Sequence, residues 1–245
     1  MYKKERKFNK KIDDKNWQVL FNTHFQSMQS LGAVSTMWIN GFSKLGFDNS
    51  QMPTAEAINE VSKKYTGYTF IQTDERIIIP QPEWYTMVAN YQLPLSNFLR
   101  TPEELDYCDE PDIWHEIMGH VAFLMNKDYS DMYLSLAKLY IKAYTKDPKN
   151  ETGILDKVDF LSGYLIELGL IQEPTGLKAF GSTLYSSGEL REAFKPENQK
   201  KFSLEILDQI KGVQNYDRSA FQGTYYILES LDQMNEAIEY LSKNI

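Results

Sequence analysis

Cysteine is almost absent: Cys108 is the only one in 245 residues. Neither a disulfide framework nor a thiolate zinc cage can therefore form within the chain, which suits a reducing compartment. Long apolar runs are missing too. No stretch approaches the roughly 20 residues needed to span a bilayer, and the basic opening MYKKERKFNKK lacks the apolar core of a signal peptide. Positive charge is in deficit, with 26 Lys and Arg against 34 Asp and Glu, and the net charge of -8 is the wrong sign for neutralising phosphates. These shortages predict a cytoplasmic protein that engages neither nucleic acid nor membrane. Histidine is scarce as well, three in all, and two of them fall in one window.

What is present is ordinary globular material. Hydrophobic residues make up 42% and charged residues 24%, enough to bury a sizeable core. The expectation is one unit over residues 1–245, with 1–15 a loosely ordered basic segment. Apolar residues recur at helical spacing from Asn16 to about Lys44 and from Thr54 to Tyr65, where Ala55, Ile58, Val61 and Tyr65 share a stripe. YTFIQT and RIIIP, between Gly67 and Pro80, read as the only convincing strands. Helical spacing returns at 131–146 and in the Ser230–Asn244 stretch, DPKNETG reads as a loop, and Leu155–Ile171 is apolar on most sides like a helix buried mid-domain. The predicted fold class is mainly α with a minor short-strand element.

The window PDIWHEIMGHVAFL holds His115 and His120 among apolar residues, where polar groups need partners. Glu167 is the single charge in YLIELGLI, and a buried carboxylate also needs a cationic partner. Core histidines and a structural ion pair would satisfy these demands. Two imidazoles and one carboxylate, however, also make the facial triad of non-haem Fe(II) oxygenases. Zinc is the competitor, because His-Glu followed by His resembles the metalloprotease helix signature. In that signature the histidines are four apart, about 40° from alignment on an α-helix, whereas a spacing of five puts them about 140° out. A straight helix would splay them, so the helix is expected to end or distort near Gly119.

PDIWHEIMGH, with FLRTPEELDYCDEPD before it and ELGLIQEPTGLKAFGSTLYSSGEL and NYDRSAFQGTYYILES after it, resembles the aromatic amino acid hydroxylases, closest to the short bacterial phenylalanine hydroxylases. The likeness runs from roughly Pro53 to Leu231. It implies a single compact catalytic domain of that family. His115, His120 and Glu167 would be the ligands of Fe(II), and the substrate a free aromatic amino acid. The cofactor would be tetrahydrobiopterin or a related tetrahydropterin, with O2 as co-substrate. Arg100 matches the arginine that holds the amino acid carboxylate, Ser186 a serine near it, and Pro111 the proline under the substrate ring. Ile78 and Ile79 match backbone contacts to the pterin, Trp84 a phenylalanine that stacks on it, and Glu116 an acidic residue that reaches it through water.

Several positions depart from the family pattern around the substrate. Cys108 replaces a threonine that supports the amino acid's polar end, Ala122 replaces a proline, and Ser162-Gly163 replaces a Tyr-Trp pair one turn before the glutamate ligand. Losing two large rings opens the pocket or forces rearrangement, which suggests tryptophan as substrate or hydroxylation away from the para carbon. The rival enzyme is a zinc hydrolase with Glu116 as general base; the rival non-enzyme is a degenerate binding protein. The larger animal members' regulatory domain and tetramerisation helix have no room here, so a monomer is expected.

Overall fold

The computed structural model describes residues 10–73, 79–108, 111–211 and 220–245. Three helices open the chain: α1 (Lys10–Ser30), α2 (Thr36–Leu45) and α3 (Ala55–Tyr65). The single helical stretch expected from Asn16 to Lys44 is broken after Ser30. Gly32 takes φ of 60°, and the Ser35 hydroxyl caps a new helix by accepting from the Trp38 N–H. Thr54 caps α3 in the same way. A two-stranded parallel sheet follows, β1 (Thr69–Thr73) beside β2 (Gln92–Ser96) with Thr69 opposite Gln92, and α4 (Gln81–Ala89) makes the crossover. The first expected strand is therefore β1. Most of RIIIP lies outside the described residues, and Ile79 and Pro80 are not in a strand.

Short helix α5 (Ile113–His115) leads into a π segment, Glu116–Val121, and then α6 (Ala122–Leu124) and α7 (Lys127–Lys146). The expected face of α7 is the one that packs inward: Met132, Leu136, Leu139, Tyr140 and Ala143 are all buried. Tyr85 of α4 stacks on Tyr140 with ring centroids 4.1 Å apart. Next, α8 (Ile154–Phe160) passes into a second π segment, Leu161–Glu167. The apolar stretch expected to stay helical to Ile171 turns instead at Leu168 and becomes β3 (Leu170–Glu173).

Strand β2 at Gln92–Ser96 already lies outside the 67–80 stretch expected to hold the only strands, and a second sheet lies wholly outside it, which corrects that expectation. Its order is β4-β3-β6-β5, built from β3, β4 (Gly176–Ala179), β5 (Gln199–Lys201) and β6 (Tyr225–Leu228). Helices α9 (Glu189–Ala193) and α10 (Leu204–Gln209) connect its strands, and α11 (Leu231–Ser242) closes the chain under a Ser230 cap. Each of these strands is three or four residues long, so the helix-dominated class stands. One buried apolar cluster runs from Trp17 to Leu241, which is the behaviour of a single core. Among the described residues no helix is long and apolar enough to cross a membrane.

Candidate active site

The first π segment explains how histidines five apart can converge. A π turn bonds i to i+5, so it takes in one residue more than an α turn and returns His120 to the side of His115. Gly119 makes room for it: a Cβ there would lie 2.7 Å from Ser182 Cβ, closer than packed carbons sit. The Trp38 indole donates to the Met118 carbonyl at 2.7 Å, an outside partner for a backbone group inside the distorted turn. The expected distortion near Gly119 is thus present, spread over Glu116–Val121.

His115, His120 and Glu167 meet, each offering one donor atom, with these atoms within 4.8 Å of one another. The two Nε2 atoms are 3.2 Å apart. His120 Nε2 is 3.3 Å from Glu167 Oε1 and His115 Nε2 is 3.7 Å from Oε2. His115 is oriented from behind. Its Nδ1 lies 2.9 Å from Ser186 Oγ, whose single proton goes to the carbonyls of Ser182 and Thr183 at 3.3 Å. Ser186 must then accept from Nδ1–H, which leaves a lone pair on Nε2. Burial holds His115 down to about 4, with Glu167 pulling the other way. His24, the third histidine, is elsewhere: its buried ring donates to the Leu184 carbonyl at 3.2 Å, and burial lowers it to about 4.

Arg100 is buried, and the reason is Asp112. The guanidinium donates from Nε to Oδ2 at 3.0 Å and from Nη2 to Oδ1 at 2.7 Å, while Nη1 donates to the Ser186 carbonyl at 2.8 Å. Asp112 also caps α5 by accepting from the His115 N–H. The planar fork that suits a carboxylate is therefore turned onto an internal one beside the ligands. Glu116 is half-buried, and burial pushes its carboxyl up to about 7, against the pull of His120. Trp84 lies on α4 nearly perpendicular to the Tyr133 ring, with centroids 5.7 Å apart, and the Tyr133 centroid is 6.2 Å from that of His120. Ile79 and Cys108 are half-buried and Pro111 is exposed; Ile78 lies outside the described residues.

Sequence reasoning missed three neighbours of the ligands: Asp112, Ser182 and Thr183. Asp112 carried a signal, a charged cap three residues before a buried histidine. The two hydroxyls, which donate to Glu167, carried none, because small polar residues after a strand are commonplace.

The residues fit a ferrous ion by donor chemistry: two imidazoles and a carboxylate, with the His115 tautomer fixed for ligation. The sequence model described as biopterin-dependent aromatic amino acid hydroxylase matches residues 8–245. The chain belongs to that family. It is 28% identical over 228 residues to the phenylalanine-4-hydroxylase of Ralstonia nicotianae, covering 92% of this chain and 68% of that one. It is 30% identical over 229 residues to that of Mesorhizobium japonicum, covering 91% and 77%. Among solved structures, phenylalanine hydroxylase from Chromobacterium violaceum bound to cobalt is similar with a TM-score of 0.80 and 25% identity, over 95% of this chain and 81% of that one. Ferrous iron, a tetrahydropterin and dioxygen are the cofactors of biopterin-dependent hydroxylases, and the trio is where this member can hold the metal.

Proposed function

We propose that this chain hydroxylates the ring of a free aromatic amino acid, with phenylalanine the first candidate, as a cytoplasmic monomer. The observation that carries the reading is the convergence of His115, His120 and Glu167 on one point. Iron and the reduced pterin, when bound, supply the activation of dioxygen. The protein's own residues hold and exclude. His115 presents a bare Nε2 because Ser186 takes its other proton, and buried Trp114, Ile117 and Leu168 keep bulk water out. Arg100 and Asp112 form a rigid charged pair next to the ligands, and the amino acid's charged end is read against that pair, with Cys108 and Pro111 at its rim. Trp84 and Ile79 supply the pterin face, with Glu116 at its edge. The acidic net charge and lone cysteine support the cytoplasmic setting.

A second reading concerns ring size. Gly163 lies four residues before Glu167 within a π segment, so it faces nearly the same side. It is half-buried, and a Cβ added there would meet no atom within 4 Å. That free space beside a ligand favours a larger ring than phenylalanine, such as an indole, or a ring placed for attack away from the para carbon.

The test is to incubate iron-loaded protein with tetrahydropterin, oxygen and each of Phe, Tyr and Trp, and to identify products by mass. Pterin-dependent gain of one oxygen on a ring supports the reading; no product with any of them contradicts it. Gly163→Leu should lower kcat/KM for Trp relative to Phe by roughly 10-fold or more. An unchanged ratio removes the larger-ring reading and leaves the hydroxylase reading intact.

A further inference from the structure

Glu167 reaches the site from the end of the second π segment, and two hydroxyls meet it there. Ser182 Oγ donates to Glu167 Oε2, and Thr183 Oγ1 donates to the same oxygen at 3.1 Å. Both belong to one 3-10 turn, Ser182–Tyr185. Glycine fixes that turn on two sides. A Cβ on Gly119 would strike Ser182, and a Cβ on Gly181 would strike the Glu167 backbone. The turn is therefore wedged between the two ligand-bearing π segments, and its hydroxyls have little freedom to leave the carboxylate.

The two carboxylate oxygens are consequently not equivalent. Oε2 carries both hydroxyl bonds and lies 3.7 Å from His115 Nε2, whereas Oε1 carries neither and stands closer, 3.3 Å, to His120 Nε2. Hydroxyl donors to an ionised carboxylate are among the stronger neutral-to-charged bonds, and losing them frees the group to rotate. We propose that Ser182 and Thr183 are positioning residues that commit Oε2 to hydrogen bonding and reserve Oε1 for the metal. Glu167 then ligates through one oxygen, and the ion keeps more of its coordination positions for other ligands. The inference rests on the metal reading of the trio.

The experiment is titration of the metal-free protein with Co(II), read by affinity and by the visible absorption bands that report coordination number. Variants are Ser182→Ala, Thr183→Val, Thr183→Ser and the Ser182→Ala/Thr183→Val pair. Alanine keeps the Cβ that packs under Gly119, so the seat of the turn survives. The double variant should bind Co(II) 10–100-fold more weakly, with its bands moved toward higher coordination as the second oxygen becomes available. Thr183→Ser should match the parent, and the melting temperature of the metal-free proteins should stay together. Unchanged affinity and bands in the double variant overturn the proposal. So does a Thr183→Ser variant that behaves like Thr183→Val. A parent protein that binds no Co(II) at all overturns the metal reading, and this inference with it.

Discussion

The two π segments share a backbone distortion and differ in what surrounds it. In Glu116–Val121 every residue after Glu116 is buried, and Gly119 lies hard against Ser182. In Leu161–Glu167 the middle is half-open, with Ser162, Gly163 and Tyr164 only partly covered and free space over Gly163. Both widened turns deliver a ligand to the same point. The first is closed by close packing, whereas the second leaves open space over Gly163, one turn from its ligand. Distortion places the ligands, and in the proposed function the packed turn serves the ion while the open one serves the substrate.

The tightest part of the closed side should break hardest. Asp112→Ala strips the buried Arg100 of its counter-charge and α5 of its cap, and should cost about 3–5 kcal/mol by denaturant unfolding. A loss under 1 kcal/mol would mean that the pair is not buried as a unit. Gly119→Ala follows, with a cost of roughly 1–3 kcal/mol from forcing a methyl into Ser182. The comparison is sharpest when the same change is made on the open side. Gly163→Ala should stabilise by roughly 0.5–1 kcal/mol, since the methyl meets nothing and the unfolded chain loses freedom. Equal destabilisation by both glycine variants would erase the distinction between the segments. Ser186→Ala should leave the fold intact and weaken iron binding by about 10-fold or somewhat more, because His115 loses the acceptor that fixes its tautomer.

Much of this arrangement was legible in the residue order, and the reasons differ by element. Helices α7 and α11 announced themselves because each buries a stripe, and stripes are local; α3 formed where expected, but its inward face runs through Ala55, Ile58 and Ser62 and leaves Tyr65 exposed. The π distortion was legible from a single number, the spacing of five between His115 and His120, once both were required to face one point. Strands β3 to β6 were not: at three or four residues they carry no alternation, and Leu170 and Ile171 continue the apolar run of the helix before them. The break between α1 and α2 turned on one glycine in a left-handed conformation and on a backbone bond from Ala179 to Ala33. That bond spans most of the chain and leaves no local trace. The same applies to the hydroxyls on Glu167, which are nearby only because Gly119 and Gly181 let the turn approach.

In the proposed function His115, His120 and Glu167 together hold one ferrous ion. Equilibrium titration of the metal-free protein with Fe(II) under anaerobic conditions tests it most directly, alongside His115→Ala, His120→Ala and Glu167→Ala. One ion per chain in the parent, with binding lost in each variant while the fold persists, is the predicted result. Stoichiometric binding that survives Glu167→Ala, or none in the parent, would contradict it.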